Sequence, residues 1–240
     1  THLLPPNRMH SKEPGDTKEM VNSRRAFLES GAYDCFAEKL CGLAVEFLQE
    51  LPEPFLLDAG CGEGYYTGKL EACLREKGIF PRVAGFDISK SAVRAAAGKY
   101  KGCQFAVASA FAVPAADASA DCLTNVFAPI VPEECKRVVK PGGVMILAVP
   151  GPRHLYGLKE ILYDAPYENE YRETEYPGFA FVRRETVAET LVLDNGEQIQ
   201  NLFAMTPYYW KTPESGSRRL AQTAHLETEI RFDFLIYRRK

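Results

Sequence analysis

Long apolar runs are missing from the 240 residues: no uninterrupted hydrophobic stretch approaches the roughly 20 residues that cross a bilayer. The opening residues, THLLPPNRMH, are polar and carry prolines, so they lack the apolar segment of a secretory signal. Both absences point to a cytoplasmic protein with no membrane partner. Paired cysteines are missing too. Cys35, Cys41, Cys61, Cys73, Cys103, Cys122 and Cys135 form an odd, scattered set without a C-x-x-C pair, which fits reduced thiols and no metal site. Most are expected to be small core residues, Cys61 included. There is no excess of positive charge either: 29 Lys and Arg against 32 Asp and Glu leave a net charge of −3, so composition carries no electrostatic footprint for nucleic acid. Repeats and low-complexity tracts are absent. What remains is ordinary globular chain, 46% hydrophobic and 25% charged, enough for one sizeable α/β domain with additions or two small ones.

The chain is organised around FLLDAGCGEGYY, residues 55–66. A short apolar run ends in Asp58 and then in Gly60, Gly62 and Gly64, which let backbone approach a ligand without a Cβ in the way. The dinucleotide fingerprint G-x-G-x-x-G is not met. Its third glycine comes one residue early and Tyr65 stands in its place, which disfavours NAD and FAD. DAGCGEG instead resembles the first motif of class I S-adenosylmethionine-dependent methyltransferases.

Periodicity and punctuation predict helices over 17–30 (capped by Asp16 or Thr17, stopped by Gly31), 32–50, 65–77, the stretch after Ser89, 132–140 and 155–163. Strands are expected over 55–59, 82–87, 103–109, 122–128 and 144–149, with long closing strands over 179–193 and 227–238. This alternation implies βαβ units and a Rossmann-like, mostly parallel sheet with helices on both faces and an antiparallel C-terminal edge. Three segments follow: residues 1–50, an arm and helices on the cofactor and substrate side; 51–150, the cofactor-binding core; and 151–240, which completes the sheet and adds an acidic loop or lid over 164–176. Between the closing strands, the sequence after Asn195 is expected to form a helix and 207–224 to be irregular, then helical.

Ligands of such sheets bind at the carboxyl ends of the strands. Asp87, with Ile88 beside it, falls where a ribose-binding acid belongs. Asp58 is expected to order the loop through backbone N–H groups, and Gly62 and Glu63 to meet the methionine end of the cofactor. Ser109 falls where many methyltransferases place an Asp that reads the adenine amino group, a departure from that pattern. Arg24 and Arg25 could hold phosphate but are expected on a solvated helix face. Tyr65, Tyr66 and Phe127 could pack against the cofactor or stack a base.

GCGEGYYT, KEPGDTKEMVNSRRAFLESGAY, RVVKPGG, PGPRHLYGLK and MTPYYWK together resemble the guanine-N1 methyltransferases of large-subunit ribosomal RNA. RVVKPGG is shared by many methyltransferases, whereas PGDTKEM with PGPRHL is much more specific. The resemblance covers nearly the whole chain. It implies that S-adenosylmethionine is contacted by Tyr33, Gly62, Glu63 and His154, and that ribosomal RNA is the partner. It also implies an N-terminal zinc module with Cys and His ligands, which these residues lack, the chain beginning just after where that module would end. Taken alone, His154 lies just past the fifth strand and could hydrogen-bond the cofactor carboxylate, although an isolated histidine is more often structural. Guanine N1 carries a proton that must leave, and Asp16, Glu63 and His154 are the candidate acceptors. Two alternatives stay open: a small-molecule methyltransferase, and a non-catalytic cofactor-binding module. The oligomeric state is open as well, a homodimer being one option.

Overall fold

Glycine and proline cut the apolar runs into short segments that become alternating strands and helices. The computed structural model describes residues 1–3, 14–170 and 174–240. In chain order the elements are α1 (Lys18–Glu29), α2 (Asp34–Leu48), β1 (Phe55–Ala59), α3 (Tyr65–Glu76), β2 (Arg82–Asp87), α4 (Lys90–Lys99), β3 (Gln104–Val107) and β4 (Ala120–Val126). They continue with α5 (Pro132–Val138), β5 (Val139–Pro150), α6 (Tyr156–Leu162), β6 (Phe179–Leu193), α7 (Gly196–Ala204), a 3₁₀ turn (Pro207–Trp210), α8 (Glu214–Ala221) and β7 (Leu226–Arg239). The strands form one seven-stranded sheet in the order β3-β2-β1-β4-β5-β7-β6. Strands β1 to β5 pair in parallel, and β7 runs antiparallel to both β5 and β6. Strand order reverses between β1 and β4, which opens a crevice at their carboxyl ends.

Both faces of the sheet are covered. On β7, Ile230, Phe232, Phe234 and Ile236 join the core beneath α1, α2, α6, α7 and α8, while the intervening Leu235 and Tyr237 join Cys135 and Val138 of α5 on the other face. Where both faces are covered, the strand is continuously apolar, from Phe234 to Tyr237, and charged residues are confined to the rest of it. Local signals set the helix starts: Thr17 Oγ1 accepts from Met20 N–H at 3.3 Å and Ser89 Oγ from Ala92 N–H at 3.3 Å, each satisfying a donor of a first turn. Gly31 ends the first helical segment in the left-handed region, at φ 82°.

Strand β5 departs from the sequence expectation of a strand over 144–149, starting at Val139 and running through Pro141, Gly142 and Gly143. The register against β4 shifts between Ala120 and Cys122, and Gly142 takes φ 78°, so an irregularity absorbs residues that a regular ladder would not accept. Strand β3 is shorter than expected, and Thr1 and Leu3 bond Val107 beside it. The rest of the expected N-terminal arm, residues 4–13, lies outside the described residues. The described part of 164–176 forms neither helix nor strand. It is tied to α6 by the fully buried Lys159, whose Nζ donates to Tyr167 O at 2.9 Å and Asn169 Oδ1 at 2.8 Å. No helix among the described residues is long and apolar enough to cross a membrane.

Candidate active site

The glycine turn follows β1 directly. Gly60 takes φ 80°, and a Cβ there would lie 2.3 Å from the Cβ of Ala128, two residues past β4, so no other residue fits without moving backbone. Gly60 and Cys61 both donate their N–H to Phe86 O, at 2.9 and 3.0 Å, which clamps the turn onto β2. Gly64, at φ 81°, ends the turn as the N-cap of α3.

Asp87 supports the same turn. Its Oδ2 accepts from Gly62 N–H at 3.0 Å and its Oδ1 from Ser89 N–H at 2.8 Å. A carboxylate has about four lone-pair sites, so acceptor capacity remains for ligand hydroxyls. Burial raises its pKa, opposed by those two N–H groups.

Asp58 corrects one expectation. It accepts from Thr67 Oγ1 at 2.6 Å and Thr124 Oγ1 at 3.0 Å, two side-chain hydroxyls rather than loop N–H groups. The carboxyl sits between β1, α3 and β4, and burial pushes its pKa up to about 6 against the pull of the hydroxyls.

Arg24 corrects another. Instead of facing solvent, it reaches from α1 to the turn, with one amino group 2.5 Å from Asp16 Oδ2 and the other 3.3 Å from Glu63 Oε2. Burial works against the guanidinium charge, but Glu63 and Asp16 outweigh it and raise its pKa. Glu63 is itself almost fully buried, and burial raises its pKa despite Arg24. Arg25 remains at the surface, near Ala95 O.

These groups surround a cavity of about 520 Å³ at the crevice, which brings together Tyr33, Asp58, Gly60, Gly62, Glu63, Asp87 and Ile88 of the predicted site. Ser109 and His154 do not line it. Strand β3 ends at Val107, and the chain turns so that Ser109 Oγ accepts from Phe111 N–H at 3.2 Å. His154 lies behind the wall: its Nδ1 accepts from Arg231 N–H at 3.2 Å, and its ring stacks on Phe127 with centroids 6.2 Å apart. Burial, aided by Lys159, lowers its pKa to about 3, which keeps the imidazole neutral.

The cavity also takes residues that were not assigned to it from sequence, among them Met20, Met205, Pro207 and Trp210. The signal for the last three was MTPYYWK, and for Met20 the segment PGDTKEM, neither of which points to a cavity lining by itself. Phe127, on the same wall, holds φ 53° although it is not glycine, and is 45% exposed. Backbone kept in that region tends to mark functional sites.

A Methyltransferase domain family model matches residues 57–147, the glycine turn and the parallel strands. Over 222 residues the chain is 32% identical to the 23S rRNA (guanine(748)-N(1))-methyltransferase of Streptomyces fradiae, covering 90% of this chain and 77% of that protein. The chain belongs to the 23S rRNA (guanine-N1)-methyltransferase family. A Bacillus subtilis (strain 168) protein, YxjB, provisionally given the same guanine-N1 name, is 28% identical over 185 residues, 75% of this chain and 65% of that protein. Among solved structures, the MccD protein (TM-score 0.53, 20% identical, covering 85% of this chain and 97% of that one) and the [4+2]-cyclase SpnF (TM-score 0.51, 17% identical, covering 84% and 80%) share the fold. A cyclase on this fold shows that the sheet alone does not set the reaction.

This methyltransferase therefore uses S-adenosylmethionine, and its cavity fits that cofactor. The buried Tyr33 hydroxyl has no hydrogen-bond partner among the described residues, the glycine turn leaves backbone open, and the acidic lining suits a sulfonium cation.

Proposed function

We propose that this enzyme methylates N1 of a guanine in 23S ribosomal RNA, in the cytoplasm. The observation that carries the reading is the guanine-N1 activity in the name of the Streptomyces fradiae relative, together with a match over 90% of this chain. S-adenosylmethionine supplies an activated methyl group on a sulfonium, so the protein's work is alignment, exclusion of water and removal of the N1 proton.

Each part of the lining has a place in that work. Asp87 accepts from the ribose hydroxyls, and Ile88 packs on the adenine side. Gly62 and Glu63 meet the amino-acid end, and the Tyr33 hydroxyl donates to the same ligand. Helix α1 acts as a lid, since it carries Arg24 across the turn and packs against α7. Ser109 and His154 support from outside the cavity, His154 by backing Phe127 and packing near Tyr33 at 6.2 Å. Of the three candidate proton acceptors, Asp16 and Glu63 line the cavity, whereas the neutral His154 lies outside it and already accepts from Arg231. The target base must leave its stack to expose N1, and the exposed rings of Phe127 and Trp210 offer aromatic faces to receive it.

A small-molecule acceptor is the second reading, favoured by the net charge of −3. Tritiated methyl transfer to unmodified 23S rRNA, with the base located by a primer-extension stop, separates the two. The expected result is one stop at a guanine. Methyl transfer to small acceptors with no labelled RNA would overturn the RNA reading.

A further inference from the structure

Among the described residues lining the cavity there are four carboxylates, Asp16, Asp58, Glu63 and Asp87, but a single Lys or Arg, which is Arg24. Such a lining attracts the sulfonium and the ammonium of S-adenosylmethionine. It repels the carboxylate at the end of the same ligand. A carboxylate taken out of water without a partner is costly, so this acidic cavity needs one cation placed where that group arrives.

Arg24 is the one group of the described lining with that charge. Its guanidinium lies against the glycine turn so closely that a Cβ on Gly62 would be 3.2 Å from Nη1. Asp16 at 2.5 Å and Glu63 at 3.3 Å hold it from two sides, which fixes the plane of the group. A guanidinium has five N–H donors in a rigid fork, and these two contacts leave donors free for a carboxylate. Its charge is secured by the same two acids, so it stays an anion receptor despite burial.

We propose that Arg24 is the receptor for the cofactor's carboxylate and makes this cavity select a ligand with an intact amino-acid end. This inference rests on S-adenosylmethionine being the ligand of the cavity. It adds a cationic specificity residue to a lining whose other groups at the amino-acid end, Gly62, Glu63 and Tyr33, carry no positive charge. A competing role is a clasp between α1 and the turn. That role would support every ligand of the cavity equally.

Equilibrium dialysis of the full chain against S-adenosylmethionine and against its decarboxylated analogue, which keeps the sulfonium and the ammonium, tells the two roles apart. Charge-assisted bidentate hydrogen bonds are strong enough that wild type should prefer the intact ligand by about tenfold or more. Arg24→Gln should bring the ratio near one while binding of the decarboxylated analogue persists, and Arg24→Lys should keep part of the preference. Removing Arg24 strips Glu63 of its partner, so the urea unfolding of Arg24→Gln is measured beside its binding, and retained analogue binding with a near-wild-type midpoint reports an intact cavity. A wild-type ratio of one overturns the proposal without any variant. So does an Arg24→Gln protein that binds both ligands more weakly by the same factor. A wild type that binds neither ligand would overturn the assignment of the cavity itself, an outcome distinct from either.

Discussion

The two walls of the cavity are built in different ways. The near wall, the turn from Asp58 to Gly64 with Asp87, comes from two adjacent strands and is held by backbone bonds and glycine conformations. The far wall, Asp16, Arg24, Phe127, Met205 and Trp210, is gathered from separate parts of the chain and is held by side chains. Substitution in the near wall therefore acts on the fold and the ligand together, whereas in the far wall the two can be separated.

The largest effect is expected where that contrast is sharpest. Gly60→Ala adds a Cβ 2.3 Å from Ala128 to a backbone at φ 80°, and should cost about 3 kcal/mol or more in urea unfolding and abolish cofactor binding. Gly78→Ala, at φ 76° with nothing within 4 Å, should cost only about 1 kcal/mol and leave binding intact.

The walls should also respond to pH in opposite senses. His154, behind the far wall, has its pKa lowered to about 3, so the unfolded chain takes up a proton that the folded one refuses. Stability from this group is complete above its ordinary 6.5 and is lost as pH falls toward 3, by on the order of a few kcal/mol, and His154→Gln should flatten that limb in pH-dependent unfolding. Asp58, in the near wall, has its pKa raised to about 6, so the folded state holds its proton longer. Its contribution declines as pH rises from 3.8 to about 6, and a carboxyl NMR titration should find its midpoint near the upper end.

Thr67→Val removes the 2.6 Å hydroxyl bond to Asp58 and should cost about 1–2 kcal/mol while moving the Asp58 midpoint further up. The smallest effect on stability belongs to Trp210→Ala, within about 0.5 kcal/mol because the ring is 66% exposed. Trp210 is the chain's single tryptophan and lines the cavity, so wild-type fluorescence should change on adding cofactor. An unchanged spectrum would place Trp210 apart from the ligand and weaken the far wall as a functional surface.

The same contrast explains what the sequence disclosed. Strands β1, β2 and β6 kept their expected bounds because punctuation stands at their ends: Pro54 and Gly60 around β1, Pro81 and the Ser89 helix cap around β2, Gly178 and Asn195 around β6. The position of Asp87 beside the cavity was legible because strand end and helix cap meet in a few consecutive residues. Arg24 was misplaced because its partner Glu63 is remote in the chain, and a helix pattern records only that an arginine is polar. Asp58 was placed correctly but given the wrong partners, since Thr67 and Thr124 reach it from a helix and another strand. Ser109 was assigned by analogy with a strand end, but β3 stops at Val107 and the turn carries Ser109 out of the lining. The early start of β5 was hidden by Pro141, Gly142 and Gly143, which read as a break but lie within an irregular strand pairing.

The unpartnered hydroxyl of Tyr33 has a consequence outside the cavity. Together with several carboxyls confined near one another, it leaves the empty protein less stable than its core would otherwise make it, and a bound cation with acceptor atoms relieves both defects. Degradation in a cell samples unfolded molecules, so the enzyme's abundance should follow the supply of methyl donor: starvation for methionine would shorten its half-life before it slowed its catalysis.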